Sequence, residues 1–307
     1  MDHLATRAGA TFADTLAARV AERESQIVLG LDPDPAALWP VAAGAAAEGA
    51  APPTAAPPAQ RTAAAVTAHC RAVIDAAGPA CVAVKPQLAC FERLGAAGWQ
   101  SLEETIAHAH QRGLLVIADG KRGDIALSAH AYAQALFEGL GVDLATVNPL
   151  MGRDALEPFV LAARANGAGV LVLVRTSNPG AADVEDLELA AGGAVWERLA
   201  ALVHELGADG IGECGLSDVG AVVGATQPQH LPRARELMPR ATLLLPGVGA
   251  QGGRVEDLAA AFAAGRAGGL IAASRGIVAA HAATGGDPAR CARAEAERLR
   301  AAAWSLE

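Results

Sequence analysis

The densest group of chemically capable residues is the segment 118–125, Ala-Asp-Gly-Lys-Arg-Gly-Asp-Ile. Asp119 and Lys121 lie two residues apart, so on an extended chain both side chains leave the same face. Gly120 and Gly123 supply a backbone that can turn sharply into a following helix. Asp124 then falls near that helix's entrance, where a carboxylate also serves as an N-cap. A second lysine, Lys85, closes the apolar run 81–85 just before a proline. A lysine ending a buried strand is costly unless it is paired. Two lysines and two aspartates in one mouth would alternate in charge, a field suited to holding a developing anion and delivering a proton. A plainer arrangement also fits these residues, in which Asp119 and Lys121 only pair and Asp124 only caps.

A second constellation points to phosphate. Residues 245–253 read Leu-Pro-Gly-Val-Gly-Ala-Gln-Gly-Gly, and 273–277 read Ala-Ser-Arg-Gly-Ile. Glycine-dense loops expose backbone N–H groups to an anion, and the fork of Arg275 matches phosphate geometry. Asp32, in Leu-Asp-Pro-Asp-Pro, suits a sugar hydroxyl or a turn, and Asp34 is the better turn former. Ser177, in Thr-Ser-Asn-Pro-Gly, suits a ligand or ordinary turn chemistry. His108 and His110 do not share a helix face and read as solvent-facing. The eight histidines show no metal spacing, and the five scattered cysteines read as small apolar filler.

These residues need elements to carry them. Short apolar or β-branched runs occupy 26–31, 81–85, 114–119, 144–148, 169–174, 219–224, 242–246 and 269–274. Ala-rich amphipathic stretches lie between them, near 62–77, 99–112, 127–139, 153–166, 192–206, 230–239, 254–265 and 287–303. Runs apolar on both faces suit parallel strands covered by helices. Eight strand–helix pairs give a single (β/α)₈ TIM barrel over residues 1–307, about the usual size. An open doubly wound sheet is the alternative, weakened because no G-x-G-x-x-G follows the first strand. In a barrel, chemistry belongs at the C-terminal strand ends. Asp32, Lys85, Asp119, Lys121, Asn148, Ser177, Thr226, Gln251, Ser274 and Arg275 all fall there.

Composition narrows the function. The chain carries 24 Lys+Arg against 33 Asp+Glu, a net charge of −9, which argues against a nucleic-acid partner. Apolar residues make up 52% and aromatics 3%, so a large core must be filled by Ala, Val and Leu. No run of 18 strongly apolar residues occurs and no signal peptide is evident, so no membrane partner and a cytoplasmic location are expected. Residues 36–61, nearly all Ala, Pro and Gly, read as a low-complexity surface insertion after the first strand, with a helix through 41–48 as the other option.

Lys85, the spacing Asp119-x-Lys121-x-x-Asp124-Ile125, the Pro-Gly-Val-Gly-Ala-Gln-Gly-Gly loop and Ser-Arg-Gly-Ile together resemble the orotidine 5′-phosphate decarboxylase family. The likeness is greatest to its longer bacterial branch (type 2), whose segments read like Leu-Gly-Leu-Asp-Pro-Asp-Pro, Val-Lys-Pro-Gln, Asp-Gly-Lys-Arg-Gly-Asp-Ile and Val-Asn-Pro. It spans about residues 12–278, interrupted by the insertion. The resemblance implies a barrel enzyme of pyrimidine biosynthesis that converts orotidine 5′-phosphate to UMP and CO₂. It also implies no metal, no cofactor and a homodimer with shared sites. Lys121 would protonate C6, Asp119 would sit against the departing carboxylate, and Lys85 would orient Asp119 and touch the ribose. Asp124 would cross into the partner's site, joined there by Ser128, which stands where a threonine is common. Asp32 would bind a ribose hydroxyl and Ser177 the pyrimidine edge, with Gln251, Arg275 and Gly276 at the phosphate. Some relatives place a tyrosine on the phosphate. The single tyrosine here, Tyr132, lies on the helix after the third strand.

A sister barrel acting on a keto-sugar phosphate shares Asp-x-Lys-x-x-Asp but resembles magnesium enzymes with a carboxylate ending strand two. Lys85 at that position would repel a divalent cation. A catalytically dead nucleotide binder should have lost at least one of the four charges, and all four are present.

Overall fold

Eight parallel strands close into one barrel in chain order: β1 (Ile27–Leu31), β2 (Ala83–Pro86), β3 (Leu115–Arg122), β4 (Leu144–Val147), β5 (Gly169–Arg175), β6 (Val219–Val223), β7 (Leu243–Pro246) and β8 (Gly269–Ala273). β8 pairs back onto β1 through Ile27↔Ile271 and Leu29↔Ala273. The structure is a computed structural model, and it describes residues 11–40 and 57–306. All eight expected strands are present, and the (β/α)₈ barrel replaces the open-sheet alternative.

Every residue of β1, β2, β4, β6 and β8 is buried. That follows from the apolar runs: one face fills the barrel while the other packs on helices. Val28, Leu115, Leu144, Leu171, Leu244 and Leu270 belong to the inner cluster. Their neighbours Leu29, Val116, Ala145, Val170, Leu245 and Ile271 join the outer core against the helices.

The helices follow the expected stretches, with local departures. The first begins earlier, at Pro58–Ala77, with proline in its first turn. The 127–139 stretch is helix Ala126–Gln134 followed by a wider turn over Ala135–Gly139. The 254–265 stretch is a 3₁₀ segment, Val255–Phe262. Helix Pro288–Trp304 closes the chain, its start capped by Asp287, which accepts from the Arg290 N–H at 2.8 Å.

Helix Phe12–Arg23 lies outside the strand–helix alternation and was not among the expected elements. Thr11 and Asp14 form a reciprocal capping box at its start. Its stripe Phe12, Leu16 and Val20 packs on the inner cluster and plugs the base of the barrel. Thr-x-x-Asp before an apolar stripe is the signal that marks it.

Of the stretch 36–61 expected to be an insertion, residues 41–56 lie outside the described residues, and so does the helix option over 41–48. Its flanks are ordered parts of the barrel. Trp39 is buried, its backbone N–H donates to His69 Nδ1 at 3.1 Å, and its indole N–H donates to the Val278 carbonyl at 3.0 Å. Residues 58–61 open helix Pro58–Ala77.

Candidate active site

β2 and β3 bring three of the four charges into contact. Lys85 Nζ donates to Asp119 Oδ2 at 2.5 Å, and Lys121 Nζ donates to Asp119 Oδ1 at 2.6 Å. Lys85 and Asp119 are 8% and 5% exposed, whereas the Lys121 side chain is 42% exposed. The inner lysine is therefore held, and the outer one faces the barrel mouth. Burial by itself would raise the Asp119 pKa, but Lys85 and Lys121 outweigh it and bring the carboxyl down to about 2.

The route by which Lys121 reaches Asp119 differs from simple alternation. The β3–β4 register shifts between Ala118 and Arg122, and Lys121 takes a left-handed backbone with φ of 47°. A bulge re-aims the side chain, as bulges next to active sites commonly do. Gly120 is needed for space rather than for turning: a Cβ there would meet Leu88 Cδ1 at 2.6 Å. The left-handed residue is the lysine itself, a conformation costly for a non-glycine residue and held here by its surroundings. Part of that hold is Thr146 of β4, whose hydroxyl accepts the Lys121 N–H at 2.9 Å and lies 3.1 Å from Asp119 Oδ1, to which it donates. Gln87 Nε2 adds a 3.3 Å bond to Asp119 Oδ2. Thr146 and Gln87 were missed as individual site residues. A hydroxyl at a buried position of an apolar strand, and an amide just after Lys85-Pro, are the signals available in the sequence.

Asp124 does not cap the next helix. Ile125 occupies the cap position, and Asp124 Oδ1 accepts the Ile125 N–H at 2.8 Å. Ser128 is exposed one turn on. Among the described residues, no hydrogen bond or ion pair joins Asp124 or Ser128 to the other candidate residues. Exposed apolar side chains lie on the same segment, Ile125 at 55% and Leu127 at 83%, and on the loop after β4, Leu150 at 82%, whose neighbour Met151 would touch a Cβ on Gly123.

A cleft of about 140 Å³ opens beside Lys85, lined by Asp32, Gly247, Gln251, Ser274 and Arg275. It joins the β1, β2, β7 and β8 ends, so the phosphate candidates and the lysine candidate meet in one hollow. Gly247 has φ of 106°, and a Cβ on it would meet Thr226 Cγ2 at 3.0 Å, so the β7 loop runs close over the β6 loop. Arg275 is exposed at the start of helix Arg275–Val278, with Gly276 in the same turn, and its side chain makes no hydrogen bond or ion pair with a described residue. Asp32 is exposed, while Asp34 forms the turn, accepting the Ala36 N–H at 3.2 Å. Ser177 joins from β5: its hydroxyl donates to Gln251 Oε1 at 3.0 Å, and its carbonyl accepts from Thr226 Oγ1 at 3.1 Å.

Asn148 stays outside the cleft and accepts the Leu150 N–H at 3.0 Å. The two helix histidines are not solvent-facing. His108 Nε2 meets Asp75 Oδ1 and His110 Nε2 meets Asp143 Oδ2, each at 2.9 Å, because neighbouring elements present carboxylates to both faces. Among the described residues, no group of three or more His, Cys, Asp or Glu is arranged to hold a metal ion, and no helix is long and apolar enough to cross a membrane.

The family model described as "Orotidine 5′-phosphate decarboxylase / HUMPS family" matches residues 25–285. An orotidine 5′-phosphate decarboxylase of Rhodopirellula baltica is 47% identical over 226 residues, covering 71% of this chain and 74% of its own length. One from Deinococcus radiodurans is 43% identical over 269 residues, covering 87% and 89%. Among solved structures, that of Leishmania donovani OMP decarboxylase superposes with a TM-score of 0.70 at 32% identity, covering 96% of this chain and 99% of that one.

Proposed function

The chain belongs to the orotidine 5′-phosphate decarboxylase family and is a carboxy-lyase, and from that premise we propose that it turns orotidine 5′-phosphate into UMP and CO₂ without a metal or cofactor. The observation that carries the mechanism is the hydrogen-bonded chain Lys85–Asp119–Lys121, its inner pair buried, beside a cleft lined by Gln251 and Arg275.

The phosphate sits against Arg275, Gln251, Gly276 and the β7-loop amides, and Asp32 with Lys85 takes the ribose hydroxyls. Ser177 meets the pyrimidine edge. The C6 carboxylate then lies against Asp119, which is ionised at neutral pH because its pKa is about 2. When the C6–carboxylate bond breaks, CO₂ departs and the electron pair stays on C6, in the ring plane, where the π system cannot take it up. The remaining source of stabilisation is a fixed cation at that carbon. Lys121 supplies it and then gives up a proton: its N–H bond breaks, a C6–H bond forms, and solvent reprotonates the amine. Binding of the remote phosphate contributes energy realised at the reacting carbon.

Asp124 and Ser128 complete the site of a second copy. The lack, among the described residues, of a hydrogen bond or ion pair from either to the other candidates, and the exposed Ile125, Leu127 and Leu150, support a homodimer with this face between the subunits. The enzyme acts in the cytoplasm, in pyrimidine biosynthesis.

Loss of orotidine 5′-phosphate absorbance should proceed in excess chelator with no metal added. Turnover only with magnesium would overturn the proposal and return the keto-sugar-phosphate type of chemistry.

A further inference from the structure

One buried guanidinium has no part in that mechanism. Arg175 ends β5 with its side chain only 2% exposed. Its fork is fully engaged. Nε and Nη2 donate to the two oxygens of Asp186 at 2.8 and 2.9 Å. Nη1 donates to the Thr176 carbonyl at 2.8 Å and to Glu185 Oε2 at 3.4 Å, and Nη2 also reaches Gln227 Oε1 at 3.3 Å. Glu185 accepts in turn from the Thr176 N–H at 2.8 Å and the Thr176 hydroxyl at 3.0 Å.

The consequence falls on the next residue. Thr176 is gripped through its N–H, carbonyl and hydroxyl, so the backbone leading into Ser177 is fixed. The Ser177 carbonyl is held by Thr226, the neighbour of Gln227, which Arg175 also binds. The ends of β5 and β6 and the far side of the β5 loop thus converge on one serine.

A buried guanidinium with two carboxylates is not the least costly way to close a loop, because desolvation offsets most of the attraction. Its particular contribution is geometric: paired N–H···O bonds in one plane tolerate little rotation. We propose that Arg175 is a positioning residue that, through Asp186 and Glu185, sets the orientation of Ser177 and so the grip on the pyrimidine, without touching substrate. This rests on the assignment of Ser177 to the pyrimidine edge given above.

UMP and ribose 5′-phosphate separate the base from the rest of the ligand. Dissociation constants for both are measured on the full chain and on Arg175→Lys, Asp186→Asn, Ser177→Ala and the Arg175→Lys/Ser177→Ala double variant. Arg175→Lys keeps the charge but loses the fork, and Asp186→Asn keeps the shape but loses the charge. Either should weaken UMP by about 10- to 100-fold and ribose 5′-phosphate by less than about 3-fold. Adding Ser177→Ala to Arg175→Lys should cost nothing further, because both act on one contact. Equal weakening of the two ligands, additive losses, or unchanged UMP binding would each overturn the proposal. Should Arg175→Lys not fold, Asp186→Asn carries the same readouts. If Ser177→Ala in the parent chain leaves UMP binding intact, the pyrimidine assignment itself is wrong, an outcome distinct from failure of Arg175.

Discussion

Two arginines at the base of this barrel and three cations at its mouth are held in opposite ways. At the base, Arg235 spreads its guanidinium over four backbone carbonyls, those of Met238, Ala241, Ala261 and Gly268, at 2.6–2.9 Å. Arg23 likewise caps the carbonyls of Cys81, Arg112 and Gly113. At the mouth, Lys85, Lys121 and Arg175 all meet side-chain carboxylates. Neutral carbonyls engage the terminal nitrogens without balancing the charge, so burial lowers the Arg235 pKa to about 10. At the mouth the sign reverses: two cations overcome the burial of Asp119 and bring it to about 2. Arg235 and Arg23 staple strand ends together, whereas the mouth cations preserve charge in a site where charge can act.

If that division is right, substitution of Lys121 at the mouth should remove activity and leave the fold, and substitution of Arg235 at the base should do the reverse. Lys121→Ala carries the largest expected effect, a loss in kcat of at least about 10³-fold, while UMP still binds and the melting temperature stays close to that of the parent. A near-parental rate would remove Lys121 as proton donor. Arg235→Met leaves several buried carbonyls unpaired and should cost about 3 kcal/mol, a drop of roughly 5 °C in Tm, with kcat per folded enzyme unchanged. A kcat loss without a Tm loss would merge the two ends into one functional unit.

Which parts of this contrast are legible in the sequence follows from what each part depends on. The strands were readable because apolar runs such as 169–174 have no other stable place than between two packed faces. Lys85 and Arg275 were readable because a charge ending such a run must be doing something. The base was not: Arg235 looks like any charged residue of a helix until β7 and β8 bring their carbonyls to it. Helix Phe12–Arg23 was missed because it breaks the alternation that identified everything else. Near Asp119 the residue types were legible but the geometry was not. The bulge at 118–122 comes from pairing with β4, and Thr146 looks like one more β-branched strand residue. Arg175 was hidden for the same reason, since its partners lie 10 and 11 residues further on in the loop.

Within the mouth, Arg275 differs from the lysines in meeting no carboxylate among the described residues, which suits a cation reserved for ligand phosphate. Arg275→Ala should raise KM for orotidine 5′-phosphate by about 30- to 100-fold, close to the worth of a charged hydrogen-bond pair, with little change in any turnover of orotidine itself. Equal losses on both substrates would indicate that Arg275 supports the loop instead of the phosphate.

The smallest effect separates the two ends by pH. Asp119 has a folded pKa of about 2 against an ordinary value of 3.8, so the unfolded chain binds its proton first on acidification. Its contribution is therefore complete above about pH 4 and is lost as pH falls toward 2. At neutral pH, Asp119→Asn should lower stability by an amount on the order of 2 kcal/mol, because two lysines lose their shared anion. That deficit should shrink steadily between pH 4 and pH 2, the parent chain giving up what the variant never had. The deficit of Arg235→Met should stay flat over the same window, since a guanidinium titrating near pH 10 is charged throughout it. Denaturation midpoints of the three proteins across pH 2–7 make the comparison directly. A deficit in Asp119→Asn that does not change with acid would mean that the carboxylate acts at this site through shape and hydrogen bonding, and its charge would no longer distinguish the mouth from the base.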